Sequence, residues 1–325
     1  LRRDWSSASC AQGKSTLVII DMSRNAARRS RRPAVEWPTV GVAAAIYGAF
    51  ILLTLFWDAL PLWLLVPLGA WFVAWHSSLQ HEAMHGHPTL NRTLNSAIAW
   101  PPLSLWLPYP VYRISHLRHH RDEHLTDPLE DPESAYFTPA MWARMPAPVR
   151  LLMRFNMTLV GRLTIGPAIM IGFFLVDEMK RVIAGEPGRR AIWAWHLVSV
   201  AALLAWVIGV CGMPLWLYLL GFVYAGTALT RLRSFAEHRW ADRPEERTAI
   251  VENGGLLGLL YLNNNLHVLH HVRPAVAWYR LPALYRASRD DLVARNGGLV
   301  YEGYRDIVRR YLVAEHDDPL HPRAG

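Results

Sequence analysis

The chain has 325 residues, of which 52% are hydrophobic and only 18% charged, and it carries 15 tryptophans. This composition excludes an ordinary soluble globular protein and points to a membrane interface, where Trp and Tyr collect because one end of the ring is apolar and the other wet. The formal charge of +8 is carried in short basic blocks beside apolar stretches, which suits an anionic lipid surface and argues against nucleic acid.

Residues 1–36 read as a basic, disordered N-terminal tail containing Arg24, Arg28, Arg29, Arg31 and Arg32, and 37–325 as one membrane domain. Gly13-Lys14-Ser15-Thr16 has the form of the end of a phosphate-binding loop, but Ala8 stands where that loop requires Gly, so the motif is rejected. Cys10 and Cys211 cannot build a disulfide framework. Four segments, 39–57, 60–80, 191–210 and 214–230, approach the roughly 20 apolar residues that a helical span requires. Only Asp58 and its neighbours separate the first two, and only residues 211–213 the last two, so each pair is predicted to be a tight hairpin. Neither connection holds Lys or Arg, whereas the tail, the middle of the chain and the C-terminal region are rich in them. The positive-inside rule then places both termini and the long middle segment in the cytoplasm, with a bacterial inner membrane as the expected location. Residues 94–111 are apolar but broken by Pro101, Pro102, Pro108 and Pro110, which predicts an interfacial or re-entrant stretch, and 150–176 is expected along the membrane surface. A helix buried by protein is the alternative for both.

Histidine carries the chemistry. His81-Glu82-Ala83-Met84-His85 follows the second span, with His87 just beyond. His116-Leu117-Arg118-His119-His120 repeats the pattern at i, i+3 and i+4, and His124 extends it. His267-Val268-Leu269-His270-His271 has the same spacing, and a single His238 follows the fourth span. On a helix these spacings bring imidazoles to one face, so each cluster can present several nitrogens to a metal. Lone His76, His196, His316 and His321 read as structural residues. A tetrahedral zinc site takes three or four protein ligands, whereas His81, His85, His116, His119, His120, His238, His267, His270 and His271 together imply two metals with four or five nitrogens each. An open redox pair beside a bilayer fits oxygen chemistry on a lipid-soluble substrate.

The three histidine boxes, their order and the paired hairpins resemble the membrane fatty acid desaturase superfamily, which also holds hydroxylases and carotenoid ketolases. The resemblance implies an all-α integral membrane fold, with about four transmembrane helices in two hairpins and a cytoplasmic helical cap. It also implies two non-haem iron ions held over a substrate tunnel, with dioxygen as co-substrate. By motif, His81 and His85 match the first box, His116, His119 and His120 the second, His267, His270 and His271 the third, and His238 the isolated ligand between them. The first box here is HxxxH and not the HxxxxH of acyl-CoA desaturases. Ser234 stands where some relatives carry an Asn that helps ligate iron through water. No HPGG signature is present, so a separate electron donor, ferredoxin or cytochrome-type, is implied. The expected reaction is desaturation of an unactivated carbon chain, most directly a fatty-acyl lipid. Hydroxylation or ketolation, or a carotenoid or amino-acid-derived substrate, are the alternatives.

Glu82, Asp122, Glu123, Asp127, Asp131 and Glu237 lie among the candidate ligands. A ligating His usually donates its second N–H to such a group, and Glu237 and Asp127 are the leading candidates for that role. Arg113, Arg118, Arg121, Arg231 and Arg233 are available to an anionic headgroup or an electron donor, or serve as positive-inside charge. Two other functional classes share parts of this pattern. An intramembrane zinc peptidase would use His81-Glu82-x-x-His85 with Glu82 as base, but leaves both HxxHH clusters unexplained. A metal transporter would place its sites within the spans, whereas these clusters lie outside them.

Overall fold

The structure, a computed structural model, describes residues 33–120 and 124–322. The basic tail up to residue 32, and Arg121, Asp122 and Glu123, lie outside the described residues. The chain from Glu36 onward forms one compact unit. Four of its helices are long and apolar enough to cross a membrane: α1 (Trp37–Leu55), α2 (Leu62–Met84), α9 (Arg189–Val210) and α10 (Leu215–Glu237). Between α2 and α9 run α3 (Arg92–Ala99), α4 (Tyr109–His119), α5 (Pro139–Arg144), α6 (Ala147–Asn156), α7 (Leu159–Thr164) and α8 (Gly166–Ile183). After α10 come β1 (Ile250–Asn253), α11 (Gly255–Leu260), α12 (His267–Val272), α13 (Leu281–Arg295), β2 (Val300–Gly303) and α14 (Tyr304–Tyr311). The small parallel pairing of β1 with β2, in register Ile250↔Val300 and Val251↔Tyr301, is a feature the sequence reading did not include.

The four spans match the expected hairpins, but α2 and α10 run past the ends that composition suggested. Apolar patterning stops where polar residues begin, yet the helices continue because protein covers those residues: Ser78, Gln80, His81 and Glu82 in α2 are buried, as are Arg233 and Glu237 in α10. Leaving backbone groups unpaired there would cost more than extending the helix. The proline-rich stretch 94–111 forms the end of α3, a series of turns, and the start of α4, where Pro108 and Pro110 sit at the N-cap and in the first turn. Those are positions at which a missing N–H breaks no helical bond.

The two hairpin turns lie at the same end of the bundle. Trp57 Nε1–H of the first donates to the Cys211 carbonyl of the second at 3.0 Å, and Trp206 Nε1–H reaches Thr54 Oγ1 at 3.0 Å. The core between the spans is built from Ile46, Phe50, Leu65, Val73, Leu217, Tyr218 and Phe222. By contrast α9 buries only Arg189, His196 and Val207 along its length, so nearly all its apolar surface faces outward, as a lipid-facing helix requires.

Glycines let α2 and α10 approach closely. A Cβ on Gly69 would fall 2.6 Å from the Phe222 ring, and one on Gly226 would fall 2.9 Å from Val73 and 3.0 Å from the Ala70 carbonyl oxygen. Small residues at such crossings allow backbone contact that side chains would prevent. Gly226→Ala should therefore destabilise the protein by about 1–3 kcal/mol, read as a lowered thermal midpoint in detergent. Gly172→Ala is the control, because a Cβ there meets nothing within 4 Å, and it should not lower the midpoint.

Candidate metal centre

Each long helix that ends opposite the hairpin turns delivers histidine. His81 lies in the last turn of α2 and His85 is its C-cap residue; the helix stops there because Gly86 follows at φ 92°, a left-handed geometry that glycine adopts without strain. His116 and His119 lie in α4 and His120 at its C-cap. His238 is the C-cap of α10, and α12 contributes His267, His270 and His271.

The nine imidazoles form two groups, within each of which the candidate ligand nitrogens lie within 4.8 Å of one another. His81, His85, His116, His120 and His270 make one, and His119, His238, His267 and His271 the other. The sequence treated each HxxHH as one face serving one metal. The structure divides it: the i and i+4 residues share a group, while the i+3 residue crosses to the other, His119 from α4 and His270 from α12. This follows from helix geometry, since i+3 and i+4 point to opposite sides of the line through i. The groups also touch, with the His120 and His271 rings stacked at 4.4 Å between centroids.

Hydrogen bonds on the outer side fix the tautomers. His119 Nδ1–H donates to Asp131 Oδ1 at 2.8 Å, and His116 Nδ1–H to Glu133 Oε1 at 3.0 Å. His238 Nδ1–H faces the Arg247 carbonyl at 3.2 Å. His267 Nδ1–H lies 3.1 Å from Asn264 Oδ1 and 3.3 Å from Glu237 Oε1. A carboxylate or carbonyl oxygen only accepts, so in each neutral ring the proton is on Nδ1 and the Nε2 lone pair points inward. Inside, His119 and His267 Nε2 each approach His238 Nε2 at 3.0 Å. In the other group His116 Nε2 lies 3.1 Å from His85 Nε2 and 2.9 Å from His120 Nε2, and His270 Nε2 lies 3.0 Å from His120 Nε2. Lone pairs facing at these distances repel unless a cation lies between them. The buried His81 Nε2 has no hydrogen-bond partner among the described residues. Both groups therefore fit a metal held by neutral imidazoles.

Electrostatics agrees. Burial, with the neighbouring imidazoles second, pushes His85 down to about 2 and holds His120, His238, His267 and His270 below the usual imidazole range. Burial also lowers His116, against the Glu133 hydrogen bond. His119 is the exception. Burial opposes its charge, but the Glu133 and Asp131 carboxylates outweigh that and raise it to about 9. The same carboxylates would make its Nε2 the more basic donor to a metal.

Glu237 lies 3.3 Å from His267 Nδ1 and is itself held by Arg233 at 3.0 Å and Asn264 at 3.0 Å. Asp127 instead caps a turn, accepting from the Leu129 and Glu130 N–H groups at 2.8 and 3.0 Å. The carboxylates on the second box are Asp131 and Glu133. Asp131 is fixed in turn by the Thr126 and Glu133 N–H groups. Sequence reasoning did not select Glu133, Asn264 or Arg247, because no helical spacing links them to the boxes. His87 pairs with the buried Glu36 at 2.7 Å, and it, His124, His76, His196, His316 and His321 lie outside both groups.

Comparison with known proteins gives two results. The family model described as fatty acid desaturase matches residues 55–303. A protein of Sorghum bicolor described as probable fatty acid desaturase DES1 is 24% identical over 276 residues, covering 77% of this chain. The chain spans 66% of that relative's length, just under two thirds.

The division of the boxes predicts separable losses. His85→Ala should remove metal from the five-histidine group alone and His267→Ala from the four-histidine group alone, each lowering the elemental count by about one per chain against two in the parent. Asp131→Ala should weaken retention in the four-histidine group by about 10- to 100-fold, read by dialysis against graded chelator.

Proposed function

The chain belongs to the fatty acid desaturase family, a family of di-iron oxidoreductases, and from that premise we propose that it is an oxygen-dependent desaturase acting on the hydrocarbon chain of a fatty-acyl lipid. The observation that carries this reading is the pair of abutting imidazole groups at the ends of apolar helices. His81, His85, His116, His120 and His270 would hold one iron and His119, His238, His267 and His271 the other. When bound, such a pair supplies the oxygen chemistry needed to take hydrogen from an unactivated carbon, which no side chain can do.

The protein's own part is to position and protect. Asp131, Glu133, Asn264 and the Arg247 carbonyl hold the rings with their lone pairs inward, and Glu237 anchors Asn264. Burial of His81, His116, His119, His267 and His270 keeps bulk water from the reacting centre. The apolar spans beneath receive the hydrocarbon, and the separate donor, of ferredoxin or cytochrome type, delivers electrons from the cytoplasmic side of a bacterial inner membrane. Glu82, the residue a zinc peptidase would use as base, accepts the Trp278 backbone N–H at 3.2 Å. That contact joins α2 to the segment after α12, and it supports a structural role.

The test is iron content and product mass on the detergent-purified protein supplied with reductant, dioxygen and a saturated acyl lipid. About two irons per chain and a product lighter by two hydrogens are expected. His119→Ala combined with His270→Ala, which takes one imidazole from each group, should lower turnover by about 100-fold or more. A product that gains one oxygen would identify a hydroxylase, and one zinc in place of iron would remove the oxygen reading altogether.

A further inference from the structure

An open cleft of about 570 Å3 lies beside the five-histidine group, where the ends of α2, α3 and α4 meet. His85 is on its wall, Arg92, Thr93 and Ser96 come from α3, and Arg113 and Leu117 from α4. The volume is within the roughly 300–1,000 Å3 of small-molecule sites. The proposed reaction gives this cleft no role.

Two of the residues that line it are arginines. Arg118 is paired with Glu130 at 2.8 Å and Arg233 with Glu237 at 3.0 Å, but neither Arg92 nor Arg113 has a carboxylate partner among the described residues. Two guanidiniums on the wall of one open cleft form a donor set for an anionic group with several oxygens, since guanidinium matches carboxylate or phosphate in bidentate geometry. Apolar Ala83, Met84 and Leu117 share the wall, so the complementary ligand has a charged head and an apolar continuation.

We propose that this cleft holds the anionic headgroup, carboxylate or phosphate, of the acyl substrate, with Arg92 and Arg113 as its specificity-determining residues. The assignment rests on the desaturase reading and adds to it a preference among lipids. The headgroup is held beside His85, so the start of the chain is fixed relative to the imidazole groups, and a neutral lipid of the same chain lacks that anchor.

Two lipids with the same chain separate the contributions: stearoyl glycerol phosphate and stearoyl glycerol. Their binding is measured by equilibrium partition to the iron-loaded protein in neutral phosphatidylcholine nanodiscs, for the parent and for Arg92→Gln with Arg113→Gln. The parent should bind the phosphate lipid at least about tenfold more tightly, the lower end of what one charge-assisted hydrogen bond contributes. The double variant should lose that preference while keeping its iron and its affinity for the neutral lipid. Raised salt should weaken only the charged lipid, because the guanidiniums are open to solvent. Inorganic phosphate that displaces the lipid only at far higher concentration supports a headgroup site; displacement at equal concentration marks a free-anion site and overturns the proposal. Equal binding of both lipids to the parent overturns it too. So does a variant that keeps the lipid preference but accepts electrons more slowly, since that identifies donor docking. If the parent desaturates both lipids equally well, the headgroup assignment fails and the desaturase reading stands. If it holds no iron and changes neither lipid, the desaturase reading itself fails.

Discussion

Nine imidazoles turned inward as lone-pair donors, inside a region from which water is largely excluded, are the constraint around which this molecule is organised. A neutral imidazole can carry its proton on either nitrogen, so convergence alone does not make a ligand set. The outer partners make it one. Asp131, Glu133, Asn264 and the Arg247 carbonyl each occupy the Nδ1 side of a ring and leave Nε2 to the interior. These partners come from the segment after α4 and from the chain around β1 and α12, so loops with little regular structure have a defined task. The sharp stop of α2 at Gly86 and the extended backbone at His238 serve the same end, by turning the chain away once the ligands are delivered.

The packing of the spans is tied to that centre. Helices α2 and α10 cross closely at Gly69 and Gly226, and each ends in histidine, so their separation sets the distance between the first box and His238. A shift of one helix against the other would be felt at both imidazole groups. The two hairpins are also joined at the far end, where Trp57 bonds the Cys211 carbonyl. The bundle is thus pinned at one end by indole hydrogen bonds and at the other by the convergence of histidines. Helix α9 contributes little to this frame and much to the outer apolar surface.

Much of this was legible in the sequence, for reasons that can be named. Hydrophobic length marks a span whatever its neighbours do, so the four long helices and their hairpin pairing were readable. Histidine at i and i+4, with or without i+3, marks a helical ligand face, so eight members of the two groups could be picked out by spacing, and the isolated His238 by its place after the fourth span and by the family resemblance. What periodicity could not give was the assignment to groups: His119 and His270 cross between them because of how α4 and α12 face each other, and that is a tertiary relation. Nor could it identify Glu133 or Asn264, whose roles depend on where a turn places them. Asp127 and Asp131 are four residues apart in an acidic loop, and only the folded chain tells which one caps a turn and which holds His119. The extended ends of α2 and α10 escaped for a different reason. Polarity was read as the end of a span, whereas here it marks the point at which protein takes over from lipid as the helix's surroundings.

The arginines follow from the same energetics. A charge removed from water must be paired or pay heavily in solvation, and the buried arginines obey this: Arg189 lies 3.3 Å from Glu178, and Arg233 lies 3.0 Å from Glu237. Arg162, buried without a carboxylate partner among the described residues, donates to the Asn156 carbonyl at 3.0 Å and stacks on Phe235 at 5.7 Å, which spreads its charge over a carbonyl dipole and a ring face. Each is absorbed by the fold. Arg92 and Arg113 differ because they keep access to the cleft, where solvent supports their charge without a protein partner. An arginine of that kind makes no demand on the fold and remains available to a ligand. Counting positive charge along the sequence could not separate the two classes, since Arg113, Arg118 and Arg233 all lie beside histidine boxes or spans. The difference lies in what each guanidinium faces: a carboxylate that already satisfies it, or an open space beside the metal centre.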